Sequence, residues 1–522
     1  MVGKLTRVTL CLLALVMAGC SVNPVTGEQE LTLISTEQEV AIGEQNYVPS
    51  QQSQGGQYAI DPTVQAYVAL VGNKLARVSD APNLPYEFVV LNNAVPNAWA
   101  LPGGKIAINR GLLTLLNDES ELAAVLGHEI VHAAARHGAA QMTRGMFIGL
   151  GAQVATVAAQ AEGYGQLAGL AAQLGGGAWM AKYGRDDELE SDHYGMEYMA
   201  RAGYSPDGAV QLQQLFVKLK GGKTEDFLSQ LFASHPPSQA RVNANTARAG
   251  TLPKGQKYKS RYQQNIAQLR KDEAAYAAQE KAQTALEEKR AKVALSHLDK
   301  AISIQPREGQ FWELRGHAWA MLGNTAKAEK AFNTAIKRSP GYYSPRLYRG
   351  LLRYERGKTN SAYGDLNASY KLLPTEAAAY YLGEISLARG DRQQALNFYR
   401  NASTGEGDLS DRAQIKMIDL ELSEKPEKYV LSKPVVAQNG YLNIALKNNS
   451  PIAVVGVRVE VVQMLDSYTA GKTSTLRGSY SLSPGQQKVI KTRIGPLGEA
   501  SEVEDYRVRV VAARPASQKE KR

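Results

Sequence analysis

The chain has 522 residues, 44% of them hydrophobic and 21% charged, with 60 basic against 50 acidic residues and a formal charge of +10. That length predicts about three domains, each able to bury a core, and the composition excludes collagen, wholesale disorder and a polytopic membrane protein. The basic surplus is spread along the chain, which indicates a solvated surface and no nucleic-acid partner.

The N-terminus reads as an address. Lys4 and Arg7 precede an apolar stretch, Val8 to Ala18, too short to span a bilayer, and small residues follow. This pattern predicts a secretory signal peptide over 1–19. Met17-Ala18-Gly19-Cys20 resembles a bacterial lipobox, which implies acylation of Cys20; Ser21 after it implies the outer membrane, facing the periplasm. Cys11 leaves with the signal, so neither cysteine is expected to staple a domain. Loss of Lys4 and Arg7 brings the charge to +10 − 2 = +8. Residues 20–60, polar and Gln-rich, are expected to form a tether with a helix at Thr36–Tyr47.

Residues 61–250 show helical patterns around one strand-like stretch. Within them Leu122 to His137 is an apolar, Ala-rich helix containing H-E-x-x-H. His128 and His132 are four apart, so both imidazoles leave one helix face and can hold one zinc ion. Glu129 projects beside them, where it can take a proton from water polarised by the metal. Two His and a Glu inside an apolar helix would be costly core residues without such a purpose. A zinc hydrolase needs a third protein ligand and an open fourth position. On spacing alone Glu188, Glu190 and His193 compete for it; Glu188 and Asp192 share a helix face, and Asp192 can hydrogen-bond a ligand histidine. His137 is expected on the helix surface or as a cap, and His297 and His317 as surface or packing residues; His193 neighbours Asp192, and a supporting contact to a ligand is the lesser of its readings. The stretch 145–181, mostly Gly and Ala, is expected to form buried helices rather than a membrane span.

A Lys/Arg/Gln-rich segment, 251–274, reads as a linker. Beyond it Pro306, Pro340 and Pro374 recur at an interval of 34, as do Ala294, Ala328 and Ala362, each followed four residues later by Leu298, Phe332 or Leu366. This is the tetratricopeptide period, and it predicts four helix–turn–helix units over 275–408. Period-two alternation in Tyr441–Leu446, Val457–Val462 and Tyr506–Val511 predicts an antiparallel β-sandwich over 428–513.

Three motifs in order, Asn97 to Ile106, the H-E-x-x-H helix and R-x-x-E-x-E-x-D from Arg185 to Asp192, resemble the HtpX/BepA-type zinc metalloproteases, relatives of the CAAX prenyl protease. With the repeats, the BepA-like branch is the nearest match. The resemblance implies Glu188 as the third zinc ligand. Gly184 and Ser191 depart from the usual Ser and Ala, small for small. It also implies that Ala98-Trp99-Ala100-Leu101-Pro102-Gly103 is an edge strand above the zinc, to which a substrate peptide adds by backbone pairing. Ala233 to Arg241 resembles the family's H-P…R element. There His235 and Arg241 would stabilise an oxyanion, or His235 would bind the zinc and block the site; His235→Ala lowers activity in the first case and raises it in the second.

The expected fold is thus multidomain: a mainly α, zincin-like (gluzincin) metalloprotease domain with a small sheet, an α-solenoid tetratricopeptide array and a C-terminal antiparallel β-sandwich. The expected function is a lipid-anchored periplasmic zinc endopeptidase acting on proteins or peptides in envelope quality control, its repeats docking a partner such as the outer-membrane assembly machinery. The competing expectation is a tetratricopeptide scaffold or chaperone-like lipoprotein with a closed or inactive metal site.

Overall fold

The computed structural model describes residues 20–146, 183–220, 229–465, 469–476 and 478–516. The signal peptide expected at 1–19 and, beyond Met146, the Gly/Ala-rich stretch lie outside these residues. The chain divides into two units, one running to Leu352 and the other from Arg353. Among the described residues no helix is long and apolar enough to cross a membrane.

The first unit opens with a hairpin, β1 (Cys20–Val22) against β2 (Gln29–Leu31), and helices α1 (Thr36–Ser53) and α2 (Pro62–Ala76). A three-stranded sheet follows among the described residues: β3 (Glu87–Leu91), β4 (Ala98–Leu101) and β5 (Lys105–Asn109), in the order β3-β5-β4. β3 runs parallel to β5, and β4 pairs antiparallel with it from the edge. Both faces are covered, so the strands read as continuous apolar runs. Val90, Ala98, Ala100, Ile106 and Ile108 join the main core, while Val89, Trp99, Leu101 and Ala107 pack with Tyr47 of α1.

The helices that carry the site are α3 (Arg110–Leu115), α4 (Glu119–Ala134), α5 (Arg185–Arg201), α6 (Asp207–Leu219), α7 (Ser229–Ser234) and α8 (Gln239–Ala249). Asp118 caps α4 by accepting from the Ser120 and Glu121 amides, a contribution of about 1 kcal/mol. Every residue of α4 is buried. It crosses α5 where Gly127 meets Gly195; a Cβ on Gly127 would lie 3.1 Å from the Gly195 carbonyl oxygen. That close approach puts the two chemistry-bearing helix faces against each other.

Residues 20–60 are not a tether. α1 starts with a Ser35–Gln38 capping box and runs on through Pro49 to Ser53, with Ser50, Gln51 and Gln52 buried. A Cβ on Gly43 would lie 2.1 Å from the Pro102 carbonyl oxygen, so α1 rests directly on the end of β4. The expected linker is packed too: Tyr262 is fully buried and donates to the Leu113 carbonyl, and Arg261 pairs with Glu119.

The core continues from the site-bearing helices into the first repeats through Tyr276, Ala282, Ala294, Leu298 and Phe311. Glu308 accepts from Asn92 Nδ2 and from the Tyr276 hydroxyl, joining the two by hydrogen bonds. The paired helices are Glu273–Glu287 with Ala291–Ile304 and Gly309–Met321 with Thr325–Arg338. At Gly316 a Cβ would meet the Phe332 ring at 2.5 Å, the small-against-large fit of the repeat. The division between the units falls within helix Ser344–Glu355.

The second unit holds helices Thr359–Leu372, Glu376–Ala388, Arg392–Ala402 and Asp408–Glu421, then two antiparallel sheets. One is ordered β11 (Gln487–Lys491), β7 (Leu442–Asn448), β6 (Val430–Val436). The other is ordered β10 (Tyr480–Leu482), β8 (Val454–Met464), β12 (Tyr506–Pro515), with β9 (Ala470–Thr475) also on β8. Val457, Val459 and Val461 turn inward beside Ile444, Leu446 and Val510, and Ile418 and Leu422 join the same core. This is a sandwich closed by a helix end.

Candidate metal centre

α4 presents His128 and His132, α5 presents Glu188 and Asp192, the turn after α7 presents His235, and α8 presents Arg241. Four buried donors converge: one atom each from His128, His132, Glu188 and His235, all within 4.8 Å of one another. The two Nε2 atoms of His128 and His132 are 3.1 Å apart, and they lie 3.5 and 3.3 Å from the Glu188 carboxylate oxygens. Zinc–nitrogen bonds of about 2.0–2.1 Å in a tetrahedron place ligand atoms about 3.3 Å apart, so these edges fit zinc. His235 Nδ1 completes the set, 3.2 Å from His128 Nε2 and 2.9 Å from Glu188 Oε1.

The tautomers agree with that fit. His128 Nδ1 lies 3.0 Å from Asp192 Oδ1, and a carboxylate there fixes the proton on Nδ1, leaving the Nε2 lone pair aimed at the donors. Burial pushes the His132 imidazole well below its ordinary value, which favours its neutral form. Burial also lowers His128, but Glu188 and Asp192 outweigh it and push that imidazole up to about 10, so the carboxylates draw a positive charge to this point. Lone pairs and a carboxylate facing one point inside a buried site call for a cation. Glu129 is outside the donor set. Its Oε1 is 3.5 Å from His235 Nε2, and its buried Oε2 has no hydrogen-bond partner. Burial pushes its carboxyl above the usual carboxylate range, against the pull of His235 and His128, as suits a general base.

Arg241 departs from expectation. Its Nε and one Nη donate to the two Asp192 oxygens, each at 2.7 Å, and its other Nη donates to Glu188 Oε2 at 2.7 Å. The guanidinium is a buried clamp on the carboxylates, a positioning role in place of the expected oxyanion contact. Burial raises the Asp192 carboxyl, but Arg241 outweighs it and holds it at about 2. His193 has its side chain 47% exposed and facing Glu197. Glu190 points to the other side of α5, toward His137.

His137 was expected at the surface and is buried behind the site, its Nδ1 2.9 Å from His132 Nδ1. The cause is local: α4 stops at Ala134, and Arg136 takes a left-handed φ of 63° that folds the next ring back. His137 Nε2 in turn lies 3.4 Å from Glu190 Oε1, an ion-pair distance rather than a formed hydrogen bond. Tyr183 stacks on the other face of His132, ring centroids 3.8 Å apart. A ligand imidazole held this way loses roughly ten- to a hundredfold in metal affinity when its supporting partner is removed. His137→Ala is therefore expected to weaken zinc binding by that amount, read by chelator competition, with His137→Gln retaining part of it.

β4 runs beside α4, its edge away from β5 pairing with no strand among the described residues, and Ala98–Gly103 are all buried. Ala98 also lines a narrow pocket of about 30 Å³ that Glu129 and His128 share with the apolar Met196, Leu212 and Phe216.

The profile of Peptidase family M48 matches residues 62–249. The chain is similar to the metalloprotease YcaL of Escherichia coli strain K12, 33% identical over 184 residues, which cover 33% of this chain and 67% of that protein. It is 27% identical over 240 residues to the beta-barrel assembly-enhancing protease of Yersinia pestis, covering 44% of this chain and 47% of that one. With the mitochondrial metalloendopeptidase OMA1 of Schizosaccharomyces pombe it shares 33% identity over 180 residues, 34% of this chain and 50% of that one. The chain thus spans about two thirds of the first relative and about half of the other two.

Proposed function

The chain belongs to peptidase family M48, and from that premise we propose that it is a zinc endopeptidase of the periplasm, held at the outer membrane by acyl chains on Cys20. The observation that carries the reading is the convergence of His128, His132, Glu188 and His235 beside the unpartnered Glu129 Oε2.

Zinc, when bound, polarises a scissile carbonyl and lowers the pKa of water at the site. His128, His132 and Glu188 would hold it, and Asp192 and Arg241 fix the orientation of His128 and Glu188. Glu129 accepts the proton of the attacking water and hands it to the leaving amine. The edge of β4 pairs with the substrate backbone, beside the apolar wall of the pocket next to Glu129. Casein cleavage by the 21–522 chain that a zinc chelator abolishes and added zinc restores is the expected result. Cleavage indifferent to chelation would sink the proposal.

The position of His235 favours a second reading, a site kept shut by a fourth protein ligand, for which the repeats would carry the function as a scaffold. The two separate on one variant. With His235 as a removable ligand, His235→Ala is expected to raise cleavage roughly tenfold, as when the competent state is about a tenth of the population. No cleavage by His235→Ala with zinc bound would favour the scaffold.

One named relative is a beta-barrel assembly-enhancing protease. By that likeness the substrates are outer-membrane proteins stalled in assembly, presented by a partner that docks on the repeats.

A further inference from the structure

The hairpin that begins at Cys20 has an inverted pattern. Its inner face is polar: Ser21 Oγ and Thr32 Oγ1 are 2.6 Å apart, and Asn23 Nδ2 donates to Glu30 Oε1. Its outer face is mostly apolar: Val22, Leu31 and Leu33 are 56, 37 and 47% exposed, with the exposed Gln29 among them, between the buried Asn23, Thr32 and Ile34. A hairpin that faces water on its outer side normally shows the reverse. Single exposed hydrophobics are ordinary. Three on one face, with the polar side turned in, are not.

The register says what covers them. Cys20 pairs with Leu31 and Val22 with Gln29, so positions 20, 22, 29 and 31 share one face, and Leu33 continues it. Directly opposed strand positions lie about 5 Å apart, and two residues of extended chain span at most about 7 Å. A lipid on Cys20 therefore leaves the hairpin no room to stand off from the bilayer. The inner side is fixed to α5 and to the segment that follows α4: Asn23 Nδ2 lies 3.1 Å from Glu190 Oε1 on α5, and the Leu33 amide donates to Thr143 Oγ1 at 3.1 Å. Ile34 packs on Ala139 and Met142.

We propose that the outer face of the β1–β2 hairpin, Val22, Leu31 and Leu33, is a membrane seat that inserts into the lipid surface beside the acylated Cys20. The inference rests on the anchor proposed above. It replaces a protease swinging on a tether with one seated at a fixed height, since Glu190 is two residues from the ligand Glu188. Substrates are then cut where they emerge at the membrane surface.

The test uses the full chain, processed in cells and reconstituted in vesicles of phosphatidylethanolamine and phosphatidylglycerol. With Cys11 removed and Cys20 acylated, an introduced cysteine is the sole thiol, so Val22→Cys, Leu31→Cys and Leu33→Cys each take one environment-sensitive fluorophore. Leu70→Cys, on exposed α2 surface, is the reference. Quenching by nitroxide-labelled phospholipid is expected to be at least roughly threefold stronger at 22, 31 and 33 than at 70. Equal quenching at all four positions overturns the seat. Fluorophores shielded without quenching, in proportion to protein density, would show a second copy covering the face and also overturn it. The mass of the N-terminal peptide separates the two layers: a bare Cys20 overturns anchor and seat together, whereas an acylated Cys20 with unquenched labels overturns the seat alone.

Discussion

Glu129→Gln is expected to lower casein cleavage by roughly a hundred- to ten-thousandfold, the usual contribution of a general acid–base residue, with zinc content unchanged. Glutamine keeps the size of the side chain, so packing in the fully buried α4 is preserved. Glu129 is outside the converging donor set, so the metal ligands stay in place. What disappears is the one buried carboxylate oxygen without a partner among the described residues, which neither the Glu188 carboxylate nor His235 can replace. The loss should fall on kcat with little change in KM, because the substrate is bound through β4. Loss of zinc together with activity would show Glu129 to be a ligand; retained activity would remove it from the chemistry.

Arg241→Met is expected to cost about 3–5 kcal/mol of stability, the penalty for stripping the partner from a buried ion pair. The guanidinium holds both Asp192 oxygens and Glu188 Oε2, and all three side chains are buried. Methionine fills much of the volume but leaves two carboxylates facing each other. Asn245 Nδ2, 3.3 Å from Asp192 Oδ2, remains as a weak substitute. Zinc affinity should fall as well, since Asp192 orients His128. Denaturant midpoints of zinc-loaded parent, Arg241→Met and Arg241→Lys measure the effect, with lysine intermediate because it keeps the charge and loses the fork. An Arg241→Met protein within about 1 kcal/mol of the parent, the range of a surface change, would contradict the clamp.

What the sequence made legible follows from how local each signal is. The i, i+4 histidines need only one helix, and the Ala/Gly-against-aromatic period needs only neighbouring helices; Gly316 on Phe332 and Gly383 on Tyr399 are that period in space. Glu188 was harder, because α5 uses two faces: Glu188 and Asp192 toward α4, Glu190 toward His137 and Asn23. Spacing cannot tell those faces apart without their partners. His137 was misplaced because its position depends on one left-handed residue, Arg136, for which the sequence carries no glycine signal. Polar composition misled twice. Residues 20–60 and 251–274 look like tether and linker, yet their polar groups are partnered: Gln52 with the Gly341 carbonyl and Tyr343 amide, Arg136 with Glu39, Arg261 with Glu119.

The most direct measurement is zinc content with zinc-edge X-ray absorption on the purified full chain. One zinc per chain is expected, in a shell of nitrogen and oxygen at about 2.0–2.1 Å with imidazole scattering, reduced by Glu188→Gln and by His132→Ala. A folded chain that neither carries nor takes up zinc, or a shell that survives both substitutions, would contradict the assignment of His128, His132 and Glu188 as the metal site.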